Sequence, residues 1–209
     1  MTQTPVDTVS VVLGPAPTPT AKGQLFGLEG AVLLQPEGTV IAQFAELSRI
    51  VRRSARTVVV AGDLMVPRVA LAPIADDGRA PTTALVTPDP EGLMTVRHHT
   101  VVSAGSSFHD VRFPSHDSIG ALVIAPSDAS QAAAAIDDLC QACASGEVTV
   151  GQDQAFDALL VALVRNGVTV RATDIVDVPW ARGSGSDDVA SAIESCLLYT
   201  SPSPRDSNL

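Results

Sequence analysis

Short β-branched runs alternate along this chain with segments whose apolar residues recur at helical spacing, and that alternation is what most limits the folds open to it. Residues 9–13 and 57–61 are apolar runs of strand length, as is the shorter 31–34. Between the last two, Ile41, Phe44, Ala45, Leu47, Ile50 and Val51 in the segment 41–53 fall on one helical face. A strand, a helix and a second strand in that order make a crossover unit, and crossovers lay strands parallel with both faces covered. Residues 82–86 and 119–125 read as further buried strands, 94–102 as an extended arm or hairpin, and 168–172 as a final strand. Pro126, Ser127 and Asp128 open an Ala-rich helix that runs to Ala144 and stops at Ser145 and Gly146. A second helix, 153–165, carries Phe156, Leu159, Leu160, Leu163 and Val164 on one face and ends at Asn166 and Gly167. The expected architecture is a three-layer α/β domain, its sheet mainly parallel with helices on both faces.

The chain has 209 residues, enough for one domain with a substantial core, and 45% of them are hydrophobic. Its formal net charge of -10 reads against nucleic acid or an anionic membrane surface as partner, because both require a basic face. The chain shows no basic leader followed by a long apolar run and no transmembrane stretch, so the visible part is expected in the cytoplasm without direct membrane insertion. Cys140 and Cys143 form a lone C-x-x-C inside the Ala-rich helix. No second ligand pair is spaced to complete a zinc site, so two small buried thiols are expected.

The stretch from Cys196 to Asp206, Cys-Leu-Leu-Tyr-Thr-Ser-Pro-Ser-Pro-Arg-Asp, resembles the translation of a sequencing-library adapter. The expected organisation is therefore a disordered N-terminus over 1–5, one domain over 6–195 and an artefactual or disordered tail over 196–209, with the natural sequence continuing past Ser195.

Two stretches carry a family resemblance: Ala104-Gly-Ser-Ser-Phe-His-Asp-Val, and the segment from Phe156 to Arg182 with its Val178-Pro-Trp-Ala-Arg. With the order of elements, they resemble the nucleotidyltransferase-like, Rossmann-like domain that precedes the membrane module of bacterial CDP-alcohol phosphatidyltransferases. The resemblance spans residues 6 to 195 and implies a downstream transmembrane phosphatidyltransferase domain, phospholipid synthesis, and a place at the cytoplasmic side of the inner membrane. Trp180-Ala-Arg followed by Ser186-Asp-Asp is also similar to the closing motif of sugar-nucleotide transferases. That motif usually carries an Asp soon after the Trp, where this chain has Arg182-Gly-Ser-Gly.

A nucleotidyltransferase cradles a triphosphate on backbone amides and a cation in the loop after its first strand. Here that loop is Gly14-Pro-Ala-Pro-Thr-Pro-Thr-Ala-Lys-Gly, whose prolines remove donors. Lys22, the only lysine, is the cation nearest that role, and His109, Asp110 and Arg182 are the other candidate ligand-binding residues. If the domain is active it requires Mg, with hard oxygen ligands near strand ends, and Asp89 and Asp63 are the candidates. Asp89 lies between Pro88 and Pro90, which is also a turn signature. His98 and His99, if they lie in a strand, point to opposite faces and do not share one ion. Gly183-Ser-Gly185 lies outside any strand-to-helix elbow, so no serine nucleophile is expected.

The proline-filled loop favours a catalytically degenerate nucleotidyltransferase-like domain acting as accessory or regulatory module of a phosphatidyltransferase. The alternatives are an active Mg-dependent transferase making a CDP-activated alcohol, with a nucleotide as ligand, and an unrelated α/β domain binding a small ligand. No catalytic residue is assigned.

Overall fold

The computed structural model describes residues 8–14, 32–33, 38–54, 56–66, 70–71, 74, 80–176, 178 and 180–182. Strands β1 (Thr8–Leu13), β2 (Val32–Leu33) and β3 (Arg56–Ala61) surround helix α1 (Val40–Arg53) in sequence. β3 leads to β4 (Leu64–Met65), and β5 (Thr83–Pro88) is followed by the hairpin of β6 (Met94–Arg97) and β7 (Thr100–Ala104). β8 (His116–Ile124), α2 (Ala129–Ala144), α3 (Ala155–Arg165), β9 (Arg171–Asp174) and β10 (Ala181–Arg182) complete the order.

Eight strands form one sheet in the order β2-β1-β3-β8-β5-β9-β7-β6. β1 pairs parallel with β2 and β3, and β5 pairs parallel with β9. β8 is inserted antiparallel between β3 and β5, and β7 runs antiparallel to β9 and β6. Taking β1 as reference, only β8 and β7 run the other way, so the mainly parallel α/β expectation holds and the sheet is mixed where β8 enters. Sequence period does not report strand direction, which is why residues 119–125 gave no hint of this. The final strand also starts later than expected, at Arg171, because Val168 is still bonded back to the helix end through its N–H to the Leu163 carbonyl.

All six residues of β3 are buried, as are seven consecutive residues of β8 from Ser118, so both faces of the central sheet are covered. α2 packs against both α1 and α3, which places these helices in one layer. Phe44, Leu47 and Val51 of α1 and Phe156, Leu159 and Leu163 of α3 are fully buried, while Ala132, Ala133, Ala135 and Ile136 let α2 approach closely. Ala70, Leu71 and Ile74, between β4 and β5, belong to the same core.

Of the three α-helix starts among the described residues, only that of α1 is capped by a side chain. Thr39 caps α1 by accepting the Ala42 N–H at 3.2 Å. Asp128 stands at the start of α2 without capping it; its carboxylate accepts instead from the Thr82 hydroxyl at 2.5 Å, and that hydroxyl accepts from the Ala125 N–H at 3.0 Å. The expected cap thus ties α2 to the strand it follows in space.

Cys140 and Cys143 are free and half-buried against the core, with the Cys140 thiol donating to the Ile41 carbonyl at 3.4 Å. Burial pushes both thiols above their ordinary range, which leaves them protonated and poor nucleophiles. His98 and His99 do not lie in a strand: they form the two-residue turn of the β6–β7 hairpin with φ 49° and 57°. The strand geometry expected for this pair is replaced by a tight turn.

Candidate functional site

The carboxyl ends of β1 and β3 lie side by side, where ligands of open α/β sheets generally bind. Gly14 closes β1 with φ +104°, a conformation suited to glycine. The amide of Gln43, buried in α1, holds it on both sides: Oε1 accepts the Gly14 N–H at 3.1 Å and Nε2 donates to the Gly14 carbonyl at 3.2 Å. The Gly62 N–H donates to the Leu13 carbonyl at 2.8 Å and fixes the start of the turn that carries Asp63. A Cβ on Gly14 would lie 2.9 Å from the Gln152 carbonyl oxygen, so the turn before α3 closes over the same spot.

Into this corner β10 delivers Arg182, through its antiparallel pairing with β4: Arg182 opposite Leu64 and Ala181 opposite Met65. The guanidinium Nη1 donates to both carboxylate oxygens of Asp157, at 3.1 and 3.3 Å. Nε donates to Asp63 at 3.3 Å and Nη2 to the Asp153 carbonyl at 3.2 Å. Phe156 lies beneath the group, its ring centre 5.9 Å from the guanidinium carbon. Gly120, with φ +91°, makes room for the arginine stem: a Cβ there would meet Ala61 Cβ at 2.9 Å and Arg182 Cδ at 3.2 Å.

All three charged side chains are largely withdrawn from solvent. Burial pushes the Asp157 carboxyl above its ordinary value despite the opposing pull of Arg182, and the negative charges of Asp117 and Asp63 add to the rise. Arg182 is held above its ordinary value: burial opposes the charge, but Asp157 and Asp63 together outweigh it.

Of the residues singled out in the sequence, the fold brings Asp63 and Arg182 together. Asp63 engages the guanidinium through one carboxylate oxygen, Oδ1. Asp89 sits at the end of β5, where its carboxylate accepts the Glu91 N–H at 2.8 Å in a local turn. Among the described residues no group of three or more His, Cys, Asp or Glu side chains is arranged to hold a metal. His109 closes a small turn with Ser106, and neither it nor Asp110 forms a hydrogen bond or ion pair with the Arg182 group among the described residues. Lys22, the proline-rich loop, the Gly183–Gly185 stretch, and the terminal segments 1–5 and 196–209 lie outside the described residues.

Sequence reasoning passed over Gln43, Gly120 and Asp157. Gln43 left a trace, a polar residue three positions after Val40 and one before Phe44 on a buried face whose other polar member is Ser48. Asp157 reads simply as an acid in the first turn of a helix, and Gly120 as a residue inside a strand, so neither signals a partner far along the chain.

The sequence matches no protein-family model and no curated protein. Solved structures share its fold. The inositol-1-phosphate CTP transferase of T. maritima aligns with a TM-score of 0.55 at 14% identity, over 93% of this chain and 98% of the other. The CTP:phosphocholine cytidylyltransferase of Streptococcus pneumoniae aligns with 0.58 at 9% identity, over 90% and 99%. A nucleoside-diphosphate-sugar pyrophosphorylase from Vibrio cholerae gives 0.50 at 12%, over 79% and 68%. This chain has a nucleotidyltransferase-like α/β fold.

Proposed function

We propose that this chain is a nucleotidyltransferase-like domain without transferase turnover, serving as an accessory or regulatory module of a CDP-alcohol phosphatidyltransferase in phospholipid synthesis. The observation that carries the loss of turnover is Arg182 seated between Asp63 and Asp157 at the carboxyl ends of β1 and β3. Nucleotidyl transfer needs that corner to receive a triphosphate with its metal, whose charge the site must balance. Here a side chain of the protein already supplies the cation, with at least four hydrogen bonds and an aromatic face to hold it. Displacing it would leave two carboxylates facing each other in a site largely closed to water. The accessory role rests on the resemblance of residues 6–195 to the domain preceding a membrane phosphatidyltransferase, and the cytoplasmic location follows from that role.

Turnover is tested by supplying the chain with CTP, MgCl2 and a panel of phosphorylated alcohols and following pyrophosphate. The expected result is release no faster than without protein. Sustained release with any alcohol overturns the silent reading and establishes an active Mg-dependent transferase. The accessory role is tested by sequencing the uninterrupted gene across the codon for Ser195 and deleting codons 6–195. Lower abundance of a downstream membrane phosphatidyltransferase, with phosphatidyl transfer per copy retained, is expected; a gene with no such module removes that role.

A further inference from the structure

Arg97, Thr100 and Arg171 stand in one row across three neighbouring strands, since Thr100 of β7 is directly opposite Arg97 on β6 and Arg171 on β9. Residues directly opposite in a sheet share a face, so both guanidinium groups flank the threonine on one side, their Cα atoms about 10 Å apart at two strand spacings. Both arginines are exposed, and neither forms an ion pair among the described residues. The His98–His99 turn closes the row, and its His99 carbonyl accepts the Ala172 N–H at 2.9 Å, which fixes the hairpin tip to β9.

A second element reaches the same corner. The chain over 113–115 runs along β6, through Thr95 Oγ1 to the Phe113 carbonyl at 2.7 Å and the Ser115 N–H to the Met94 carbonyl at 2.8 Å. It brings exposed Arg112 and Phe113 to the edge of the hairpin, and Phe113 is 72% exposed. Val102 of β7 is 48% exposed beside Thr100's row. Asp110 and Asp174 are the only acids within three residues of these arginines, and Asp174 faces His116 at 3.3 Å at the other end of β9. Arg171 pairs with Thr83 at the amino end of β5, while Ser115 accepts the Asp89 N–H at 3.0 Å just past its carboxyl end, so the surface follows the hairpin from one end of β5 toward the other.

We infer that this corner docks the domain onto an anionic lipid surface, with Arg97, Arg112 and Arg171 on headgroups and Phe113 and Val102 at the interface. Exposed arginines beside an exposed aromatic ring are the chemistry of peripheral membrane contact. The overall charge of -10 does not oppose it, because charges farther than about 10 Å from the surface are screened at physiological salt. A nucleic acid requires cations that follow a phosphate track, whereas here they are interleaved with exposed apolar side chains.

The test is vesicle flotation of the full chain with phosphatidylcholine alone and with phosphatidylcholine mixed with phosphatidylglycerol. Flotation only with the mixed vesicles is expected, weakening as salt rises. R97Q/R171Q lowers partitioning about 25-fold, near fivefold for each arginine; F113S lowers it as well, while R53Q, an exposed arginine on α1, leaves it unchanged. R97K/R171K, which keeps the charge, retains flotation and separates charge loss from misfolding. Equal flotation with both vesicle types, or flotation untouched by R97Q/R171Q, overturns the inference. Retention on double-stranded DNA without flotation overturns it in favour of a nucleic-acid face.

Discussion

Arg182 Nη1 lies 3.1 Å from Asp157 Oδ1 and 3.3 Å from Oδ2, joining the chain's last described strand to the first turn of α3 across 25 residues. The pair is nearly withdrawn from water, and Asp63 adds a second negative charge to the same guanidinium. Its contribution is therefore set by what remains when one member is removed.

R182A leaves Asp157 buried and facing Asp63, at a cost of about 3 kcal/mol near neutral pH. Burial, partly offset by Arg182, already raises the folded-state carboxyl of Asp157 above its ordinary 3.8. The folded state therefore binds the proton more tightly, and this group's contribution is largest below that value and declines as pH rises toward the folded one. Loss of Arg182 pushes the folded value higher still, so the deficit of R182A shrinks on acidification. D157N, which keeps shape and one acceptor, unfolds within about 1 kcal/mol of the parent at neutral pH, and D157A loses about 3 kcal/mol. Urea midpoints across pH check all three; an R182A deficit that grows on acidification contradicts this account.

Q43L removes both partners of the Gly14 backbone while keeping side-chain volume. Two buried backbone groups are then unsatisfied, and the expected loss is about 2–4 kcal/mol. Denaturant unfolding measures it, and Q43E should recover only the bond from the Gly14 N–H.

G120A places a methyl against Ala61 and the Arg182 stem in a backbone conformation that favours glycine. A loss of about 2 kcal/mol is expected. Part of that clash is with Arg182, so G120A and R182A together cost less than their sum, which a double-mutant cycle reads directly.

His98 and His99 hold left-handed conformations that Asn and Gly adopt more readily in a two-residue hairpin turn. H98N/H99G should stabilise the domain by about 1 kcal/mol, seen as a rise of roughly 2–4 °C in Tm. An unchanged or lower Tm would mean the imidazoles make contacts that offset the strain.

Much of the fold is legible in the sequence because it rests on short-range pattern. Phe44, Leu47 and Val51 mark the buried face of α1 at helical spacing, and the β-branched runs at 57–61 and 119–125 mark central strands whose faces are both covered. Tertiary structure alone decided which way β8 runs, since an apolar strand has the same period in either direction. It also decided that Asp128 bonds Thr82 rather than capping its helix, that Gln43 completes the turn at Gly14, and that Arg182 finds Asp63 and Asp157. Those contacts span 25 to 119 residues along the chain. Local sequence encodes propensity and periodicity, whereas the pairing of charges that distant depends on which strand ends the sheet order makes neighbours.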